Sequence, residues 1–267
     1  MNTFRNRVTV EQQDAVAVVS LNRPDKYNGL DLDMMYGLLD AAAFLKKQRD
    51  VRVVILRGEG KAFCAGLDFA TVMRRPSALL RAFLPWWRKD NVFQRLCLAW
   101  RDLPVPVIAV THGYCFGGGI QLALACDFRL TTPDCQFSIM EIQWGLIPDM
   151  SATVTLRELV PADVALELTV TGRKFDGREA RDLQLVTRVS EDPLADARTL
   201  AASIAARSPD AVSAAKRLFR QTRSGSERAA LRRERQLQLG LLLFSRNQRE
   251  AMKANFEKRE PVFRSRR

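Results

Sequence analysis

Between Val105 and Thr131 the chain changes character three times within a short span. An apolar run, Val105 to Val110, has the length and composition of a strand. It ends in the glycine-rich stretch His112-Gly113-Tyr114-Cys115-Phe116-Gly117-Gly118-Gly119, from which a helix-spaced pattern runs from about Gly118 to Cys126, and a short strand follows at Phe128 to Thr131. Strand, helix and strand in close succession are what α/β folds with crossover connections require. The glycines let the backbone approach a ligand, and a helix start leaves N–H groups pointing outward, a place that favours negative charge. Taken alone, three consecutive glycines are a weak signal and read as a plain tight turn. The stretch is not the dinucleotide fingerprint G-x-G-x-x-G, and Gly58-Glu59-Gly60-Lys61 lacks phosphate-loop spacing.

The flanking segments agree with an α/β reading. Val8 to Val10 and Ala15 to Leu21 are rich in β-branched residues and break at Asn22-Arg23-Pro24-Asp25, which predicts two strands and a turn, a hairpin opening the fold. From Asp31 to Lys47 apolar residues recur at helical spacing, and the run Val51 to Leu56 reads as a buried strand. After about Ala195 the pattern is helical, with helices predicted at 211–222, 227–243 and 247–258. The stretch from Phe69 to Trp100 mixes helix formers with Pro76, Pro85, Trp86 and Trp87, which suits a lid over an apolar ligand or ordinary core packing.

Composition removes several classes of function. With 267 residues, 47% of them hydrophobic, the chain can bury a full core, and no window approaches the roughly 18 apolar residues of a membrane span. Neither a leader nor a membrane insertion is expected, and Ser265-Arg266-Arg267 is not the peroxisomal address, so the cytosol is the expected compartment. Five cysteines (Cys64, Cys97, Cys115, Cys126, Cys135) lack the paired spacings of a zinc site and read as reduced core residues. A single histidine, His112, argues against a multi-histidine metal centre and a Ser-His-Asp triad. The net charge of +12 is concentrated near the C-terminus: from Arg217 onward there are 15 Lys/Arg and 5 Asp/Glu, a surplus of 10. Such a surplus fits a solvated helical face, a site for anionic phosphates, or nucleic acid.

A second motif changes the weight of the glycines. Lys61-Ala62-Phe63-Cys64-Ala65-Gly66-Leu67-Asp68 follows the strand ending near Arg57, with Asp68 placed to cap a helix. Together with Leu21-Asn22-Arg23-Pro24, Asn28, Gly113 to Asp127, Gly145-Leu146-Ile147-Pro148, Leu168 to Gly172, Ser208-Pro209 and Phe256 to Phe263, it closely resembles the crotonase (enoyl-CoA hydratase/isomerase) superfamily, in family order over nearly the whole chain. The resemblance implies an α/β spiral core of ββα units over residues 1–195. It also implies a helical C-terminal region, 196–267, that builds a homotrimer or a dimer of trimers and forms part of the coenzyme A site.

The same resemblance assigns roles to residues. The thioester oxygen of an acyl-CoA would sit against the N–H groups of Leu67 and Gly118, an oxyanion hole for the enolate formed when a proton leaves the carbon beside the carbonyl. One such donor is worth roughly 3 to 4 kcal/mol where it has been measured. Coenzyme A, brought in as part of the substrate with no tightly bound cofactor, would lie against Ala65-Gly66 and Lys26, with Lys258 reaching in, often from a neighbouring subunit. Asp68, Gln121, Trp144 and Phe256 complete the expected substrate-binding residues.

The carboxylates distinguish the reactions. Hydratases of this family activate a water with two glutamates, at positions that match Gln121 and, twenty residues later, Glu141. An amide does not ionise near neutral pH, so two-glutamate hydration is impaired. Asp149, eight residues after Glu141, stands where hydratases generally carry glycine, and dienoyl-CoA isomerases of the family place a Glu and an Asp at that spacing, often with a histidine matching His112. Two carboxylates along one acyl chain can move a proton between carbons without adding water, and enoyl-CoA isomerases manage with a single glutamate matching Glu141. Two departures stand against this. The dienoyl isomerases carry aspartate at the Gln121 position, and the family's Gly-Gly-Thr is replaced by Met150-Ser151-Ala152-Thr153.

Away from the resemblance, Asp149 reads as a turn or helix-cap residue, Glu141 as a surface or ion-paired glutamate, and His112 as a strand-end residue bonding its own backbone, which is the role expected for it here. The expected activity is isomerisation of an unsaturated acyl-CoA. A hydratase that tolerates Gln121 is the nearest alternative. An RNA-binding homologue acting through its basic helices, or a catalytically silent acyl-CoA binder, is the alternative of another class. Nucleic acid is not the expected partner.

Overall fold

The fold is that of a computed structural model describing residues 1–74, 76–84 and 89–267. The choice between a lid and core packing for Pro85, Trp86 and Trp87 therefore lies outside the described residues.

The chain opens with three antiparallel strands, β1 (Asn2–Phe4), β2 (Val8–Gln13) and β3 (Val16–Leu21). The predicted hairpin is present, with its turn at Asp14, which takes φ 51°. The Asn22–Asp25 break instead leads out of the sheet into a 3-10 turn, Pro24–Lys26, begun by a proline whose fixed φ suits that position. Helix α1 (Leu32–Lys47) starts on Asp31, whose carboxylate accepts the Met34 N–H at 2.7 Å. It returns the chain to β4 (Val53–Gly58), parallel to β3. Helices α2 (Phe69–Val72), α3 (Pro76–Phe83) and α4 (Val92–Arg101) precede β5 (Val107–Thr111). After β6 (Tyr114–Phe116) come α5 (Gly118–Leu124), β7 (Phe128–Thr131) and β8 (Gln136–Ser138). Helices α6 (Ala152–Leu156), α7 (Ala162–Thr171) and α8 (Gly177–Asp182) lead to β9 (Arg188–Val189). The chain ends in α9 (Pro193–Ala205), α10 (Pro209–Thr222), α11 (Glu227–Phe244) and α12 (Arg246–Glu257).

The main sheet runs β1-β2-β3-β4-β5-β7-β9 and is parallel from β3 onward. The runs Val53 to Leu56 and Val107 to Val110 of its central strands are apolar because both faces are covered. Val54, Leu56, Val107 and Ala109 face the large core that includes α1 and α4, whereas Val53, Ile55, Ile108 and Val110 pack on Ala197 and Ala201 of α9. The proposed division of the chain at residue 196 falls inside this helix. The predicted C-terminal helices correspond to α10, α11 and α12, and buried Asp210 ties them together. It accepts from Ser245 Oγ (2.6 Å), Asn247 Nδ2 (3.1 Å) and the Arg267 N–H (3.0 Å). No helix among the described residues is long and apolar enough to cross a membrane. All five cysteines are free and buried.

A second, smaller layer was not visible as strands in the sequence. The glycine-rich stretch between the predicted strand and helix contains β6, which pairs in parallel with β8. Single bridges extend this layer from Cys64 to Cys115, from Leu30 to Leu67 and from Phe137 to Phe175. Two glycines make the approach possible: a Cβ at Gly113 would lie 2.0 Å from Lys61 O, and one at Gly119 would lie 2.5 Å from Cys64 O. No larger residue fits either place.

Asn28 holds the first loop of this layer. Its buried amide donates to Glu59 O (2.9 Å) and Ala62 O (2.8 Å) and accepts the Arg23 N–H (2.8 Å), while its backbone sits at φ 56°. Replacing Asn28 by alanine strands three buried polar groups and keeps the positive φ, and should lower stability by about 3 kcal/mol. Urea denaturation measures this, and a loss below about 1 kcal/mol would show that the loop holds itself without the amide.

Candidate active site

The site is built where the second layer meets the first turn of α5. The segment around Cys64 lies beside β6, with Cys64 N–H donating to Tyr114 O (3.0 Å) and Phe116 N–H to Cys64 O (3.0 Å). Two residues later the chain turns at Gly66, φ 89°, where a Cβ would stand 2.9 Å from Phe116 O and 3.7 Å from Gly117 Cα. The residues following each contact are Leu67 and Gly118. Leu67 bridges Leu30 through its neighbours, Leu30 N–H donating to Gly66 O and Asp68 N–H to Leu30 O, so its own N–H is left out of the pairing. Gly118 opens α5, where the first N–H groups have no intrahelical acceptor. Neither amide has a hydrogen-bond acceptor among the described residues. Two free amides on adjoining loops suit an oxygen that carries negative charge.

Glu141 comes to the same place from the other side. Gly117 N–H donates to Ser138 O (2.9 Å), tying β8 to the start of α5, and the chain then curls into a 3-10 turn, Met140–Trp144. Glu141 Oε1 accepts from Gln121 Nε2 at 2.6 Å, and a Cβ on Gly117 would lie 3.4 Å from that oxygen. Oε2 is buried without a hydrogen-bond partner among the described residues. Burial pushes the Glu141 carboxyl above the ordinary glutamate range; its own N–H and the Gln121 amide pull it partly back, and the charge of Asp149 adds to the upward push. Asp149 is also raised, by burial, against a bond from its own N–H. It does not cap α6, because Ser151 occupies that position, at φ 75° and without a side-chain cap bond. A desolvated carboxylate with one oxygen engaged and one free is suited to take and return a proton.

The other residues singled out from sequence divide into two groups. Ala65 and Gly66 lie in the amide loop, and Ala65 N–H donates to Tyr27 O (3.0 Å), which brings the exposed Lys26 turn alongside. Asp68 caps α2 by accepting from Thr71 N–H (3.1 Å) and Thr71 Oγ1 (2.8 Å), and Arg23 Nη1 donates to it at 2.8 Å. Burial works against its charge, but the bonds from Thr71 and Arg23 outweigh that and hold it below the usual carboxylate range. Gln121 is 1% exposed and bonds to protein atoms on both ends of its amide. Trp144, 60% exposed, packs on Phe69 with ring centroids 4.6 Å apart, joining the Glu141 turn to α2. Phe256 (82% exposed) and Lys258, at the end of α12, make no hydrogen bond or aromatic contact to these loops among the described residues.

Sequence reasoning missed Arg23 and Thr71 as holders of Asp68, although Thr71 stands three residues after a capping aspartate, a spacing that signals the contact. It also missed Met150, whose Sδ lies 2.7 Å from where a Cβ of Gly118 would be. His112 is corrected in one respect: its Nε2 meets Gly60 O (2.9 Å), a carbonyl of the neighbouring loop rather than its own backbone. No group of three or more His, Cys, Asp or Glu able to hold a metal occurs among the described residues.

Comparison with known proteins gives a consistent outcome. Residues 11–266 match the family model described as enoyl-CoA hydratase/isomerase. A peroxisomal Delta(3,5)-Delta(2,4)-dienoyl-CoA isomerase of Arabidopsis thaliana is 34% identical over 258 residues, covering 91% of this chain and 90% of that protein. A probable enoyl-CoA hydratase of Mycobacterium bovis is 31% identical, covering 96% and 97%. Among solved structures, an enoyl-CoA hydratase from Bacillus anthracis superposes with a TM-score of 0.87 at 29% identity, over 96% of this chain and 98% of the other.

The raised Glu141 carboxyl carries a stability signature. A carboxyl whose folded value lies above its unfolded one costs nothing while both states are protonated and costs stability as pH rises from the unfolded value through the folded one. Glu141→Gln should therefore match the wild type near pH 4, roughly the ordinary glutamate value, and be the more stable protein at neutral pH. Chemical denaturation at the two pH values decides it: equal stability at neutral pH would show that burial does not penalise the charge.

Proposed function

This chain belongs to the enoyl-CoA hydratase/isomerase family, and within that family we propose that it isomerises an unsaturated acyl-CoA, moving the double bonds of an enoyl- or 3,5-dienoyl-CoA without adding water. The observation that carries this reading is Gln121: where a hydratase would place a second glutamate, this chain has an amide that donates to Glu141. In the proposed step Glu141 takes a proton from the carbon beside the thioester carbonyl. The C–H electron pair passes into the thioester oxygen as an enolate, held by the Leu67 and Gly118 amides. Asp149, whose hold on a proton is strengthened by burial and which enters the step in its acid form, gives that proton to the distal carbon as the pair returns and the double bonds settle one place closer to the carbonyl. The cycle closes when the proton on Glu141 passes back to Asp149. No atom is gained or lost.

Binding is assigned to the surrounding loops. Ala65, Gly66, Lys26 and Asp68 line the coenzyme A side, and Trp144 the acyl side. Phe256 and Lys258 serve a neighbouring subunit of a trimer or of a dimer of trimers in the cytosol. The exposed apolar residues Phe219, Leu239, Leu242, Leu243 and Phe244 on α10 and α11 support such an assembly. Hydration of a 2-enoyl-CoA is the second reading, favoured by relatives named as hydratases that match as much of the chain as the dienoyl isomerase does.

Incubation with a 2-enoyl-CoA and, separately, a 3,5-dienoyl-CoA distinguishes the two. Formation of conjugated 2,4-diene absorbance is expected, and hydration without any double-bond shift would refute the isomerase assignment. Glu141→Gln should slow the shift by about 100- to 10,000-fold. Asp149→Asn should slow the dienoyl substrate far more than a 3-enoyl one, whose double bond moves a shorter distance.

A further inference from the structure

Gln121 stands on α5 with its side chain buried, and both ends of its amide are hydrogen-bonded. Oε1 accepts two backbone N–H groups, Met150 at 2.8 Å and Ala152 at 3.2 Å. An amide oxygen can only accept and an amide nitrogen only donate, so these two bonds fix which end of the group faces which way. Nε2 is thereby aimed at Glu141 Oε1, 2.6 Å away, an oxygen already walled by Gly117. The other carboxylate oxygen, Oε2, is buried and bonded to nothing among the described residues.

We propose that Gln121 is the positioning residue of the site: clamped by the Met150 and Ala152 amides, it holds Glu141 by Oε1 and commits Oε2 alone to proton transfer. The proposal rests on the reading of Glu141 as the group that moves the substrate proton. It explains why an amide at this place does more than remove a second carboxylate. A free glutamate side chain in a half-buried turn has several rotamers, and a reacting oxygen misplaced by about 1 Å costs on the order of 100-fold in rate. The charged groups around Glu141 are few. Asp149 faces it from the following loop; α7, packed on the 3-10 turn, carries Asp163 and Glu167, the latter paired with Arg173 at 2.7 Å. Helix α5 brings no ionisable residue, and β6 brings Tyr114 and Cys115.

The test is kcat for a 3,5-dienoyl-CoA followed against pH from about 5 to about 10 in two variants whose folding is checked by thermal melting. Gln121→Leu removes the donor: kcat should fall about 100-fold with little change in KM, and its acid limb should move to higher pH, since the bond that favoured the ionised carboxylate is gone. Gln121→Glu keeps the shape and both backbone anchors, so it serves alone if the leucine variant does not fold. It can donate to Glu141 only while the pair holds a shared proton, and a new basic limb should appear as that proton is lost. Wild-type kcat and wild-type pH profile in the folded variants would overturn the positioning role. The underlying reading has its own control: Glu141→Gln must be slowed by at least about 100-fold, and a fully active Glu141→Gln would sink the assignment of Glu141 itself rather than that of Gln121.

Discussion

Everything at this site depends on how closely two stretches of backbone approach one another. The strip around Cys64 and the strand Tyr114–Phe116 meet in parallel at the Cys64–Cys115 bridge, and glycines stand where any side chain would force them apart. The contact is short because Gly66, Gly113 and Gly119 lack a Cβ, and it is held in register by ordinary ladder hydrogen bonds rather than by side-chain packing. Separate the strips by the width of one methyl group and the Leu67 and Gly118 amides no longer lie on adjoining loops.

On that frame the electrostatics are unequal by design of the neighbours. Asp68, beside the same loops, is surrounded by donors and held ionised by Thr71 and Arg23, so it acts as a cap and an ion-pair partner. Glu141 and Asp149 have almost no donors and are pushed up by burial. Three carboxylates of the candidate site thus differ in proton affinity through their surroundings, Asp68 being shifted down and Glu141 and Asp149 up.

Much of the fold was legible in the sequence wherever a long run of one periodicity met a clear break. The opening hairpin, α1, the buried strands β4 and β5, β7 and the three C-terminal helices all fall in that class. The three-residue strands β6 and β8 and the two-residue β9 were not, because their pairing is set by partners far along the chain and not by local propensity. At the site, Asp68 could be read as a cap from its place ahead of a helix, while Glu141 and Asp149 were singled out by the family resemblance. What could not be read was the use of Gln121, whose three hydrogen bonds reach residues 20 to 31 positions away and exist only once the loops are assembled. The left-handed backbone at Ser151 was equally invisible, since serine does not announce a positive φ as glycine does.

The five sulfur atoms described above offer a use outside any reaction the protein performs. Each lies in an apolar interior that holds its thiol protonated, Cys64, Cys126 and Cys135 up to about 12, so an alkylating reagent finds no thiolate while the chain is closed. Modification then records excursions out of the native state rather than reactivity within it. Because Cys64 and Cys115 face each other across the paired strips, their labelling clocks the parting of those strips, while Cys97 on α4 clocks the opening of the main core.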